Sequence, residues 1–213
     1  LWLVGGTFEP YDSGTILRSD DNGASFAVQM EGGAFDLNGV SFVDGLHGWA
    51  VGYGPQHGVI LHTEDGGEVW EPQELPPLNG DALYSVSFFD RWNGVAIGSL
   101  GYRSLILRTE DGGLTWTRDM GYEGNHMFMK ADFPDINTGW AVGTGPVLAR
   151  YESDCLGEDE CGAGHVCDEE TNDCVPVDRD GGWDGGVDGG EDIFSWVDSG
   201  SEVMESAIWS TVC

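Results

Sequence analysis

The sequence has 213 residues, with 38 acidic and 8 basic side chains, a formal net charge of −30 and 35 glycines. A surface this acidic repels nucleic acid, no stretch approaches the roughly 18 apolar residues of a membrane-crossing helix, and so much glycine weakens any helical bundle. Aromatic residues, at 11%, recur at regular places, which argues against a disordered chain and predicts a soluble, turn-rich, mostly β protein.

The chain opens on Leu1-Trp2-Leu3-Val4-Gly5-Gly6, with no Met, no basic region and no long apolar run of a signal peptide. A strand-like segment begins at once. A fragment, or a mature chain cut from something longer, is expected.

Three segments then repeat. They are Ile16-Leu17-Arg18-Ser19-Asp20-Asp21-Asn22-Gly23-Ala24-Ser25-Phe26, Ile60-Leu61-His62-Thr63-Glu64-Asp65-Gly66-Gly67-Glu68-Val69-Trp70 and Ile106-Leu107-Arg108-Thr109-Glu110-Asp111-Gly112-Gly113-Leu114-Thr115-Trp116. Gly48-Trp49-Ala50-Val51-Gly52, Gly94-Val95-Ala96-Ile97-Gly98 and Gly139-Trp140-Ala141-Val142-Gly143 recur with the same period. So do Val40-Ser41-Phe42, Val86-Ser87-Phe88 and Ala131-Asp132-Phe133. Trp2-Leu3-Val4-Gly5 is the tail of an earlier copy.

Each unit reads as four short strands. In the second unit they are Asn38–Phe42, Trp49–Tyr53, Val59–Thr63 and Trp70–Gln73, separated by turns rich in Gly, Asp and Asn. Four strands in about 45 residues predict a propeller blade. The fold expected is all-β: a partial propeller of about three four-stranded blades, a small disulfide-rich segment and a disordered acidic Gly/Asp tail. A closed propeller takes about 4–8 blades, so blades upstream, or a partner, are expected to complete the array.

The Ser/Thr-x-Asp-x-Gly-x-Thr-Trp segment is predicted to be a tight hairpin between the last two strands of a blade. Its Asp accepts bonds from loop N–H groups and from the Ser/Thr hydroxyl, its Gly permits the turn, and its aromatic residue packs under the loop. The structural positions are Ser19, Asp21, Gly23 and Phe26, then Thr63, Asp65, Gly67 and Trp70, then Thr109, Asp111, Gly113 and Trp116. Identical use in three blades argues for architecture and against catalysis.

This pattern resembles the Asp box, or BNR repeat, of sialidases and other propellers. The longer unit resembles the Ycf48/HCF136-like family of photosystem II assembly factors over residues 1 to about 152. The first copy departs from the pattern at Asn22, Ser25 and Phe26, and the fourth stops after Val147-Leu148-Ala149-Arg150 without an Asp box.

Beyond residue 152, Cys155, Cys161, Cys167 and Cys174 crowd into a stretch too short for a core. Residues 153–176 are expected to form two disulfides, with three pairings open, in a module resembling those of secreted bacterial surface proteins. Zinc held with His165 is the rival, and spacings of five and six residues fit it poorly. Cys213 is left over. Residues 151–213 hold 18 acids and one base, and 177–192 include Asp-Gly-Gly repeats read as an extended linker with, at most, weak calcium affinity. Residues 193–213 show no clear motif.

No catalytic motif is visible. A non-catalytic extracellular, cell-surface or periplasmic propeller that binds protein or glycan is expected, with no cofactor. A sialidase-like hydrolase with catalytic blades elsewhere is the alternative. Arg18, His62 and Arg108 share one repeat register and form a candidate binding stripe, or else pair with neighbouring acids. Tyr84, His126, Phe128 and Lys130, on or near the inner strands, are candidates for the channel mouth.

Overall fold

The computed structural model describes residues 1–6, 13–77, 80–119, 125–134, 138–145 and 147–153, together with the backbone of three strands at 165–168, 173–176 and 194–198. The described residues contain no helix.

Four antiparallel sheets follow one another. The first is β1 (Trp2–Gly5), β2 (Gly14–Arg18) and β3 (Ala27–Gly32). The second is β4 (Asp36–Phe42), β5 (Gly48–Tyr53), β6 (Gly58–Thr63) and β7 (Glu71–Pro72). The third is β8 (Asp81–Phe88), β9 (Gly94–Leu100), β10 (Arg103–Thr109) and β11 (Thr117–Arg118). The fourth begins with β12 (Phe128–Asp132), β13 (Thr138–Gly143) and β14 (Leu148–Ser153). This is a partial propeller. The closing strand expected over Trp70–Gln73 is only two residues long, Glu71–Pro72.

Beyond β14, β15 (His165–Asp168) and β16 (Asp173–Pro176) form a separate hairpin whose backbone places Cys167 opposite Cys174. The expected disulfides, the zinc rival, the calcium run and the fate of Cys213 involve side chains outside the described residues. β17 (Phe194–Asp198) then pairs with β14, Tyr151 opposite Trp196. The fourth sheet therefore has four strands. Residues 154–193 lie between its third and fourth strands, where the other sheets carry an Asp box.

Alternation builds the core between sheets. In the second strands, Trp49 and Val51 face the following sheet and Ala50 faces the preceding one, and all three are buried. Ile16, Leu37, Ala50 and Leu61 fill the first interface. Trp49, Val51, Ile60, Leu83, Ala96, Leu105 and Leu107 fill the second. Val95, Ile97, Ile106, Phe128, Ala141 and Tyr151 fill the third. Near the axis, Asn38 Nδ2 donates to Leu83 O at 2.8 Å and Ser85 Oγ to Ala131 O at 3.3 Å, joining inner strands of successive sheets.

Two kinds of turn hold the strands in register. At the inner turn, Asp44 accepts from the N–H groups of Leu46 and His47, each at 2.7 Å, and Asp90 accepts from Trp92 N–H at 2.6 Å and Asn93 N–H at 2.8 Å. The outer turn is the Asp box. Thr109 Oγ1 donates to Asp111 Oδ1 at 2.9 Å and accepts from Gly113 N–H at 2.7 Å. Thr109 is 4% exposed, so Thr109→Val keeps the shape and strands a buried N–H. Urea titration should show a loss of about 1–3 kcal/mol, with the m-value unchanged.

Candidate functional site

The three Asp boxes share one geometry. Ser19 Oγ and Thr63 Oγ1 each donate to the box Asp at 2.8 Å, as Thr109 does. The carboxylates then accept from the backbone N–H four residues on: Ser25 at 2.8 Å, Val69 at 3.0 Å and Thr115 at 2.8 Å. Ser25 and Thr115 add hydroxyl bonds, each 2.6 Å, which Val69 cannot make.

The second and third boxes also grip the sheet before them. Trp49 Nε1 donates to Gly112 O at 3.0 Å, and Arg18 Nη1 donates to the equivalent Gly66 O at 3.0 Å. Gly67 has φ +88°, and a Cβ there would lie 2.5 Å from the Trp2 ring, so both conformation and close approach require glycine. Trp2 stacks on Phe42 with ring centroids 4.1 Å apart, and Trp49 on Phe88 at 3.5 Å.

This geometry places the candidate stripe between sheets. Arg18 lies 5.4 Å from the Trp2 centroid and pairs with Asp20 at 2.7 Å. His62 stacks on Trp49 at 4.7 Å. Arg108 pairs with Asp119 at 2.8 Å and lies 4.7 Å from the Tyr151 centroid. Arg18 and His62 thus cover a Trp of the adjacent strand in their own sheet, and Arg108 an aromatic ring of the next. Near the axis, Tyr84 Oη lies 3.2 Å from Ser99 Oγ, while Lys130 and His126 are exposed and His126 O accepts a bond from Ser104. No hydrogen bond or ion pair joins Tyr84, His126 and Lys130 among the described residues. Phe128 does not line a channel mouth: it is fully buried in the third interface, where its ring packs with Val95, Ile97 and Ile106.

A groove of about 740 Å³ opens between the outer edge of the second sheet and the Asp box of the third. Its floor and walls include His62, Glu64, Glu71, Pro72, Glu74 and Leu114. Gln73 spans it, donating to Gly112 O at 2.9 Å and accepting from Trp116 Nε1 at 3.1 Å. Burial holds the His62 pKa below its ordinary value against the opposing pull of Glu64, and repulsion from His47 adds to the shift. His62 is therefore neutral near pH 7, and its Nε2 is buried with no hydrogen-bond partner among the described residues. The groove is acidic, with apolar edges at Val69 and Leu114. Among the described residues, no cluster of three metal-ligating side chains occurs.

Residues 24–118 match the family model described as photosynthesis system II assembly factor Ycf48. The matched residues span the second and third sheets, and over them the chain is similar to that family. A solved Ycf48 from Cyanidioschyzon merolae is 16% identical, with 71% of this chain and 50% of that one covered and a TM-score of 0.54. A solved Ycf48 bound to a D1 peptide is 18% identical, with 67% and 60% covered and a TM-score of 0.42. The chain thus spans 50–60% of the length of these Ycf48 structures. No curated protein sequence matches it significantly.

Sequence reasoning placed a turn at Asp44-Gly45 but gave no role to the side chains of Asp44, Asp90 and Gln73. The first two had a signal in the recurrent Phe-x-Asp; Gln73 had none, because its role depends on the neighbouring sheet. Hydrogen bonds from the Ser25 hydroxyl and N–H hold Asp21 at about 2, and those from His47 and Leu46 N–H hold Asp44 at about 2. Asp65 is lowered by Val69 N–H and the Thr63 hydroxyl. At Asp111 burial raises the pKa, but bonds from Thr115 and Thr109 outweigh it. All four bind protons more weakly folded than unfolded. Their stabilisation is complete above the ordinary carboxylate range and declines as pH falls from about 4 towards 2. Near-UV circular dichroism during acid titration should show tertiary structure weakening in that window, and Asp111→Asn should shrink the dependence.

Proposed function

We propose that the Ycf48-like repeats form a non-catalytic scaffold that holds a basic, partly apolar protein segment in the acidic groove beside His62. The observation that carries this reading is the groove itself. Glu64, Glu71 and Glu74 line it beside Pro72 and Leu114, with no Lys or Arg among its lining. Carboxylates flanking apolar edges suit Lys or Arg side chains, whose stems are aliphatic and whose heads are charged. The family description, an assembly factor, supports a protein partner.

The arginines favour this reading over a sialidase-like hydrolase, which would need them gathered around a substrate carboxylate. Arg18 and Arg108 are instead engaged between sheets, and both pair with acids of this chain. We place the scaffold in an oxidising extracellular, cell-surface or periplasmic setting, because the four clustered cysteines suit disulfides there.

A fluorescein-labelled decapeptide of alternating Lys and Leu should bind the 213-residue chain, and raised salt should weaken it. The double variant Glu71→Lys/Glu74→Lys should weaken binding at least tenfold while circular dichroism stays unchanged. Equal affinity of the variant and the parent for this peptide, measured by anisotropy, would refute the groove assignment. Turnover of a sialoside substrate by the parent would support the hydrolase.

A further inference from the structure

Each of the first three sheets carries one residue of the same register on the strand before its Asp box. It is Arg18 opposite Trp2 in the first sheet, His62 opposite Trp49 in the second and Arg108 opposite Val95 in the third. The two arginines fill their joints. Arg18 lies over the Trp2 ring, pairs with Asp20 and donates to Gly66 O. Arg108 pairs with Asp119 and lies over the Tyr151 ring. His62 is shorter and uncharged near pH 7, and the groove opens beside it.

The acids of the middle joint follow the same register. Glu64 stands two residues beyond His62, as Asp20 stands beyond Arg18. Glu71 is opposite His62, where the first and third sheets carry Ala27 and Thr117. Trp49, His62 and Glu71 thus form one row on one face of the sheet, with Glu71 on the far side of the imidazole from Trp49. At these three positions the middle sheet has one acid more than its neighbours and one base fewer. Both carboxylates act on the His62 ring, and neither is in an ion pair with Lys or Arg among the described residues. Gly66 O, the carbonyl that Arg18 reaches, has its counterpart in Gly112 O, which Trp49 Nε1 and Gln73 Nε2 already hold. The acceptors left for a cation in the middle joint are the carboxylates.

We propose that the groove selects arginine over lysine, a partner's guanidinium lying against His62 with Glu64 and Glu71 as its acceptors. The partner supplies from outside the group that Arg18 and Arg108 supply from within. This rests on the groove reading given above and adds the identity of the recognised side chain. A guanidinium is planar, stacks on aromatic rings and offers a fork of N–H donors to carboxylates, whereas an ammonium is a strongly hydrated point charge. The layers of Phe88, Trp49 and His62, with successive centroids 3.5 and 4.7 Å apart, present it with a flat surface. His62 sets the specificity, because an arginine at its position would fill the joint as Arg18 does.

Anisotropy with two fluorescein-labelled decapeptides, one alternating Arg and Leu and the other Lys and Leu, tests this on the 213-residue chain near neutral pH. The arginine peptide should bind more tightly by about fivefold or more. Glu64→Gln should bring that ratio below about two, because the forked acceptor is lost. His62→Arg should weaken the arginine peptide by about tenfold, because the new side chain takes the place of the incoming one. Circular dichroism checks that each variant is folded; Glu71→Gln replaces the first and His62→Lys the second where it is not. Equal affinity for the two peptides overturns the arginine assignment and leaves the groove reading standing, as does an unchanged ratio in Glu64→Gln. Undiminished binding of the arginine peptide by His62→Arg overturns the assignment as well. Binding of neither peptide by the parent overturns both readings.

Discussion

A hydroxyl and a carboxylate two residues apart hold each outer hairpin, and the rest of the propeller depends on that small clasp. The Ser or Thr oxygen donates to the Asp and accepts from the Gly N–H, while the Asp reaches forward to the N–H four residues on. Backbone groups that no ladder could satisfy are paired by side chains, which lets the chain reverse between third and fourth strands without a longer loop. The same reversal points a glycine carbonyl outward, towards Arg18 or Trp49 of the sheet before. One motif thus both closes a sheet and attaches it to its neighbour.

The second strand explains why the joints between sheets are so apolar. Its alternate residues face opposite neighbours, small on one side and large on the other. A large aromatic from one sheet meets a small residue and a Phe from the next, so layers interlock at close spacing. At the third joint Val95 takes the place of the Trp, and Phe133 and Tyr151 fill the volume, with ring centroids 5.7 Å apart.

Much of this was legible in the amino-acid order. The period, the strand positions and the all-β class follow from local patterns of alternation and turn residues. The faces were not legible, because alternation says that Arg18, His62 and Arg108 share a side without saying what covers it. Only the packed neighbouring sheet shows that side to be an interior joint. The groove was missed for the same reason: Glu71 and Glu74 are ordinary acids in an acidic chain until Leu114 of the next sheet stands opposite. Phe194–Asp198 went unassigned because no turn motif ties it to Val147–Arg150; its place is visible only in the pairing with β14.

That pairing gives the fourth sheet a loop closure unlike those of its neighbours. The second and third sheets join their last two strands through the seven residues 64–70 and 110–116, whereas the fourth joins β14 to β17 across the 40 residues 154–193. Chain-closure entropy makes the longer span costlier by about 1.5 kcal/mol. Contacts of such separation also form late. The second and third sheets are thus built wholly from neighbours in sequence, whereas the fourth draws its outer strand from across the cysteine hairpin.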